Sequence, residues 1–340
     1  MKKAITWAFG FFCLGSVEAI YRPFDIHYPG ARSAGAGATG VSSIDSLGSL
    51  PMNPAYLADI HKPAIALGLD AQTRIQRVQA EFYMAPQYLP IVSWGTPLGP
   101  NGGLGLLAHS PIQRLFPDSE YILYNLEIAY AHSLMRRLNL AITGGMALGL
   151  QAQIYHAFAP CWSLAALYHH DWFDLGMSFR PGITLTYRPY PNGAVVEERT
   201  PDVLRLGLSH LWGSVRISFE IEQVSWGSSY FRENQVDITP SFEPGFLHGI
   251  NPHLGLAFPL PPWPGLTFRT GMYTADFYDF LGRNDRQILL TFGIGGLAGE
   301  DIWGERLRID FSLVSSFLPS LFWPESNRIE KLQMTFEFLY

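Results

Sequence analysis

The sequence predicts an all-β fold: a transmembrane antiparallel β-barrel of about fourteen strands with an N-terminal plug in its lumen. Three observations carry this expectation. The C-terminal residues alternate with a period of two, the chain is too poor in charge for an ordinary soluble surface, and its connections alternate between short and long. In the closing stretch, Leu332, Met334, Phe336, Phe338 and Tyr340 alternate with Lys331, Gln333, Thr335 and Glu337. Period two sends the two sets to opposite faces of one strand. An apolar outer face and a wetter inner one is the pattern of a membrane barrel.

Charged residues make up 15% of the chain and aromatics 14%, whereas a soluble domain carries about 25% charge. Part of the surface must therefore face something other than water. Beyond the leader there is no apolar run of the roughly 18 residues that a spanning helix needs. A chain in contact with lipid and without such helices is left with the closed barrel.

The leader is residues 1–19. Lys2 and Lys3 precede an apolar stretch from Ala4 to Leu14, and Gly15, Ser16, Val17, Glu18 and Ala19 follow. This reads as a cleavable export signal, too short for an anchor of about 20 residues. Phe12 before Cys13, with Gly10 behind it, does not suit lipid attachment. Once the leader is gone Cys161 is the only cysteine, so no internal disulfide forms; a large closed sheet needs none. Loss of Lys2, Lys3 and Glu18 takes the net charge from −6 to −7. With no basic run, nucleic acid is excluded as an expected partner.

Alternation recurs inside the chain. Val215, Ile217, Phe219 and Ile221 alternate with Arg216, Ser218, Glu220 and Glu222, and Leu307, Ile309, Phe311 and Leu313 with Arg308, Asp310 and Ser312. Tyr124 to Tyr130 and Leu204 to Leu208 behave alike. Alternation alone also suits a soluble sandwich; connection lengths favour the barrel. Strands are expected near 63–84, 89–95, 102–109, 121–134, 138–150, 160–169, 172–188, 203–212, 214–225, 249–259, 264–275, 287–298, 305–316 and 329–340. Short turns then fall at 134–138, 169–172, 212–214 and 259–264. Longer loops fall at 109–121, 150–160, 188–203, 225–249, 275–287 and 316–329. That rhythm belongs to outer-membrane barrels. The first two strands are the weakest, which leaves twelve as the alternative count. Trp94, Trp162, Trp172, Trp212, Trp226, Trp263, Trp303 and Trp323 are expected at strand ends, as interfacial girdles.

Residues 20–62 do not alternate and form the expected hatch segment, ahead of a barrel over 63–340. Gly30 to Gly40 is rich in small side chains, which allow close backbone approach inside a narrow lumen. Asn53 ahead of Pro54 reads as a cap, with Pro54 opening a short helix through Ala55 to Ile60.

The order G-A-R-S-A-G-A-G-A-T-G, including Gly35 and Gly37, followed by Asn53, Pro54, Ala55 and Leu57, resembles the N-terminal region of the long-chain fatty-acid transporter (FadL) family. Tyr56 stands where that family usually has Gly, and Ser46 follows Asp45 where a second acid is usual. Phe173 to Arg180 resembles the family's Asp-Leu-Gly strand. The resemblance implies fourteen strands, a plugging hatch and passive passage of hydrophobic molecules such as long-chain fatty acids. It leaves an alternative, a barrel of this kind acting as an assembly or interaction protein at the outer membrane. Its terminal aromatic also resembles the signal that outer-membrane barrels offer their assembly machinery.

Expected partners are outer-membrane lipid, hydrophobic small molecules and that machinery, through the C-terminal strand. No cofactor, metal or catalytic residue is expected. His169-His170-Asp171 is the one dense His/acid cluster, and it falls in a short turn without a third metal ligand. Gly102-Gly103-Leu104-Gly105 lacks the setting of a phosphate loop. Candidate ligand contacts are Arg22 and Phe24 near the mature N-terminus, with Arg22 suited to a carboxylate. Tyr230, Phe231, Phe277 and Phe280, on aromatic external loops, complete the set.

Overall fold

The computed structural model describes residues 25–26, 28–43, 46–78, 81–116, 119–151, 155–188, 195–225, 228–237, 249–261, 263–278, 284–302, 305–317 and 327–339. The leader, Arg22, Phe24, Asp45, Phe280, Trp226, Trp303, Trp323 and Tyr340 lie outside them.

Nineteen strands are described. A two-residue strand, β1 (Asp25–Ile26), precedes the wall strands β2 (Ala64–Val78), β3 (Glu81–Pro97), β4 (Gly102–Phe116), β5 (Ser119–Met135), β6 (Leu138–Gln151), β7 (Tyr155–His169) and β8 (Phe173–Arg180). Two short strands, β9 (Thr184–Tyr187) and β10 (Val196–Arg199), separate these from β11 (Asp202–Trp212) and β12 (Val215–Ser225). After β13 (Tyr230–Glu233) and β14 (Val236–Asp237) the wall resumes with β15 (Ile250–Leu260), β16 (Trp263–Tyr278), β17 (Asn284–Ile302), β18 (Glu305–Ser315) and β19 (Asn327–Leu339).

The fourteen wall strands close an antiparallel barrel in which each pairs with its neighbours in chain order. The last strand returns to the first, from Ala64 opposite Leu339 to Gln76 opposite Asn327. A closed ring leaves no free edge for aggregation. β9, β10, β13 and β14 form a separate four-stranded sheet. We call the rim bearing the turns at 136–137, 170–172 and 213–214 the turn end, and the opposite rim the loop end.

The faces fall as the alternation requires. On β19, Lys331, Gln333, Thr335 and Glu337 are buried while Leu332 is 55% exposed. On β12, Ser218, Glu220 and Glu222 are buried, and Phe219 and Ile221 face outward. On β5, Asn125 and Glu127 are buried between exposed Leu126 and Ile128. A wall that buries carboxylates and exposes leucines is inside out for water and right for lipid.

Several strands differ from expectation. β3 begins at Glu81, not 89, and β4 runs to Phe116. The region expected as the long 109–121 loop is mostly strand, because Pro111 sits in a bulge where its missing N–H is tolerated. β7 likewise starts at Tyr155 and carries Pro160, paired with Met146, within it. The expected strand 172–188 ends at Arg180: Pro181-Gly182 turns the chain inward to β9. Trp172, Trp212 and Trp263 lie at the turn end, but Trp162 stands mid-strand in β7 and Trp94 lies within β3. Trp162 stands on the outer face, 43% exposed, and packs edge-on against Phe179 with ring centroids 6.1 Å apart.

Candidate functional site

Residues 28–43 and 46–60 lie against the inner face of the wall. A five-residue helix, α1 (Ala31–Gly35), is followed by two 3₁₀ turns, Leu47–Ser49 and Pro54–Asp59. So little regular structure leaves many backbone groups in need of partners, and the wall supplies them. Ala31 N donates to Thr335 Oγ1 at 3.0 Å and Gly37 N to Thr291 Oγ1 at 2.8 Å. Gly40 N and Val41 N both donate to Glu220 Oε2, at 3.0 and 3.2 Å, and Leu47 N to Glu337 Oε1 at 2.9 Å. The polar inner face of the barrel is thus the hydrogen-bonding complement of this segment.

The six motif residues are placed here. Gly35 meets the Gly293 backbone, and Gly37, at φ 71°, lies against β15 where a Cβ would collide with the Leu254 carbonyl. Asn53 caps the second 3₁₀ turn by accepting from Ala55 N at 3.0 Å. Its Nδ2 donates to Val41 O at 2.7 Å and Ala166 O at 3.0 Å, tying segment to wall. Pro54 opens the turn, and Ala55 and Leu57 are fully buried. Leu57 lies over Gly95, Gly103 and Gly105. Gly176, in the stretch that resembles the family's Asp-Leu-Gly strand, admits the Val41 carbonyl.

At its end, Asp59 accepts from Asn139 Nδ2 at 2.8 Å and pairs with His169 Nε2 at 3.0 Å, while His169 Nδ1 lies 2.8 Å from Asp174. His169-His170-Asp171 is therefore dispersed: His170 stacks on Phe173, and Asp171 pairs with Arg137.

Two buried polar networks, whose partners sequence reasoning missed, flank the segment. On one side Tyr28 OH donates to Glu222 Oε1 at 2.8 Å, and Arg205 Nε donates to Glu222 Oε2 at 2.8 Å. The Arg205 guanidinium also lies 5.2 Å from the Tyr28 ring centroid, and Tyr28 packs edge-on to His253 and Tyr273. Burial, then the Glu222 carboxylate, holds the Tyr28 phenol well above its usual pKa, so it remains a donor. On the other side Glu127 meets His109 and Arg180, each at 3.3 Å, and accepts from Thr143 at 2.6 Å. Arg205, Glu220, Glu222 and Glu127 were legible only as polar positions facing inward.

Between the networks lies a cavity of about 30 Å³, bordered by Pro29, Met52, Pro111, Phe179, Arg180 and Ile183 among others. That is room for about two waters.

Beside it the wall is incomplete. β3 and β4 pair only from Val92–Pro97 to Gly103–Ala108, short of the 9–11 residues or so that a spanning strand needs. Past Ala108 a bulge intervenes, His109 facing Asn125 and Ile112 facing Leu123. His109, Ser110, Pro111 and Ile112 are all buried, so β4 bends into the lumen, where β1 pairs with it at Ile112 and Gln113. Pro86 and Pro90 of β3 and Pro111 of β4 bring no N–H to this seam, a placement suited to edges and bulges.

Of the ligand candidates, Tyr230 and Phe231 lie on β13 rather than on an irregular loop, with the Arg232 guanidinium 4.1 Å from the Tyr230 ring centroid. Phe277 lies near the loop end of β16. Tyr230 is not among the residues that border the cavity.

No family model matches the chain, and no curated protein matches it. Solved structures do. A Pseudomonas aeruginosa FadL homologue superposes with a TM-score of 0.71 at 11% identity, covering 92% of this chain and 99% of its own. The Ralstonia pickettii toluene transporter TbuX gives 0.64 at 14%, covering 91% and 97%, and the P. putida toluene transporter TodX 0.63 at 17%, covering 93% and 99%. At such identities the likeness is one of fold: over nearly its whole length this chain resembles a FadL-type barrel.

Proposed function

We propose that the protein is an outer-membrane channel for passive passage of hydrophobic small molecules, with residues 20–62 as its hatch and residues 1–19 as its export signal. One observation carries this reading: the half-paired β3–β4 seam lies beside the cavity, in a wall whose outer face is apolar. A hydrogen-bonded wall is closed to a greasy solute, whereas an unpaired seam joins lumen to acyl chains. An apolar molecule gains about 0.8 kcal/mol per buried methylene, so the cavity border and the lipid both favour it over water. The similar toluene transporters support hydrophobic cargo, and long-chain fatty acids belong to the same chemical class. The C-terminal strand would present the barrel to its assembly machinery.

A second reading, a barrel that holds a partner rather than passing cargo, is favoured by the many bonds that fix residues 28–43 and 46–60 to the wall. Uptake separates the two. Cells making the protein are expected to take up N-phenylnaphthylamine, a fluorophore that an intact outer membrane excludes, and radiolabelled oleate faster than cells without it. Equal rates for both probes would leave the partner-holding reading.

A further inference from the structure

Towards the loop end, the sheet β9, β10, β13 and β14 packs on the inner face of the wall. Leu185 and Tyr187 of β9 are 0% and 1% exposed, while the alternating Thr184 and Thr186 are exposed. They share one buried cluster with Ala147, Ala157, Ala159 and Cys161 of β6 and β7. A Cβ on Gly149 would collide with both the Leu185 side chain and the Tyr187 hydroxyl. Small wall residues thus form a seat for two large side chains of the sheet.

The wall behind that seat is short. β8 stops at Arg180, so it pairs with β7 only over Leu164–His169. Among the described pairings, the outer half of β7 has β6 on one side and no wall strand on the other.

Polar bonds gather where the sheet leaves the wall. Gly182 N donates to Asp202 Oδ1 at 2.6 Å, Ile183 N to Thr200 Oγ1 at 2.8 Å, and Arg199 to Asp202 at 3.2 Å. Asp202 N in turn donates to Ser228 Oγ at 3.2 Å. Pro181 and Pro201 flank this root, and both border the cavity. A bonded root and an apolar seat are the parts of a hinge and its closure.

We propose that this sheet is a lid. It rocks about its root at Gly182 and Pro201, and a solute arriving from the loop end reaches the cavity only once Leu185 and Tyr187 leave their seat. The inference rests on the passage reading and extends it to what controls admission.

Two variants test it. L185A/Y187A empties the seat, and G149C/L185C/Y187F in a Cys161→Ser background staples it: a Cβ at position 149 lies against the Leu185 side chain, and Y187F removes the hydroxyl that it would otherwise meet. Cys161, buried in the same cluster as Leu185 and Tyr187, reports opening through its reaction with a water-soluble maleimide, located by peptide mass. Truncating two buried side chains is expected to speed that reaction at least about tenfold over the unaltered protein. Uptake of N-phenylnaphthylamine is expected to rise in L185A/Y187A and to fall in the oxidised staple, recovering on reduction. Equal Cys161 reactivity in L185A/Y187A and the unaltered protein, both folded by heat-shifted gel mobility, would overturn the lid. So would equal uptake by oxidised and reduced staple, both above barrel-free cells, and that result would leave the passage reading standing. Faster Cys161 reaction with no uptake in any form would support the moving lid and remove the passage.

Discussion

Asn53 shows how one side chain can join a plug to its barrel. Its oxygen caps a 3₁₀ turn, and its nitrogen reaches the carbonyls of Val41 and Ala166. Both halves of the amide are used, so the two obvious replacements separate them. Asn53→Ala loses all three bonds and is expected to cost about 2 kcal/mol. Asn53→Asp keeps the cap but points negative charge at two carbonyls, and is expected to cost more. Hydrogen exchange of the amides between Val41 and Leu57 reads both, with Asp the faster of the pair; the reverse order would mean that the cap dominates. The cap was legible in the sequence, because Asn-Pro ahead of a short apolar stretch has few other uses. The wall contact was not, since Ala166 is more than a hundred residues away and nothing local points to it.

Among the elements, the strands were the most legible part. Period-two alternation at β5, β12, β18 and β19 carries face and register together, because a one-residue slip would bury leucines and expose carboxylates to lipid. Pro111 falls within the expected 109–121 loop and Pro160 at the end of the expected 150–160 loop, yet one lies in a bulge and the other faces outward mid-strand. β9 was merged with β8, since an inward turn leaves the alternation of Ile183, Leu185 and Tyr187 in phase with a continuing strand. The wall glycines were invisible as a set, since their shared role is a contact with the plug. Gly176 receives the Val41 carbonyl, while Gly144 has nothing near its missing side chain. Gly176→Ala is therefore expected to loosen the plug by about 1–3 kcal/mol, the usual range for forced overpacking. Gly144→Ala is expected to be neutral or slightly stabilising. Protease sensitivity of residues 28–60 in the purified barrel checks the contrast, and equal sensitivity would mean that the plug does not depend on close backbone approach.

For the whole molecule, the wall and the plug contribute separately to stability. All fourteen wall strands are paired without help from residues 28–60, so removing residues 20–60 is expected to leave a folded barrel. Glu220, Glu222 and Glu337 would then meet water in place of the bonds they now accept. Uptake of N-phenylnaphthylamine is expected to rise in that deletion, with heat-shifted gel mobility retained. Unfolding instead would mean that the plug templates the wall.

The β3–β4 seam bears on how this cylinder fails. Its closing joint, β2 with β19, is fastened over thirteen residue pairs, yet two staves away the fastening covers only six. Under heat or mechanical load a ring tears first at its shortest joints, so rupture should begin beside Pro90 or across the equally short joint of β7 with β8 rather than where the first and last staves meet.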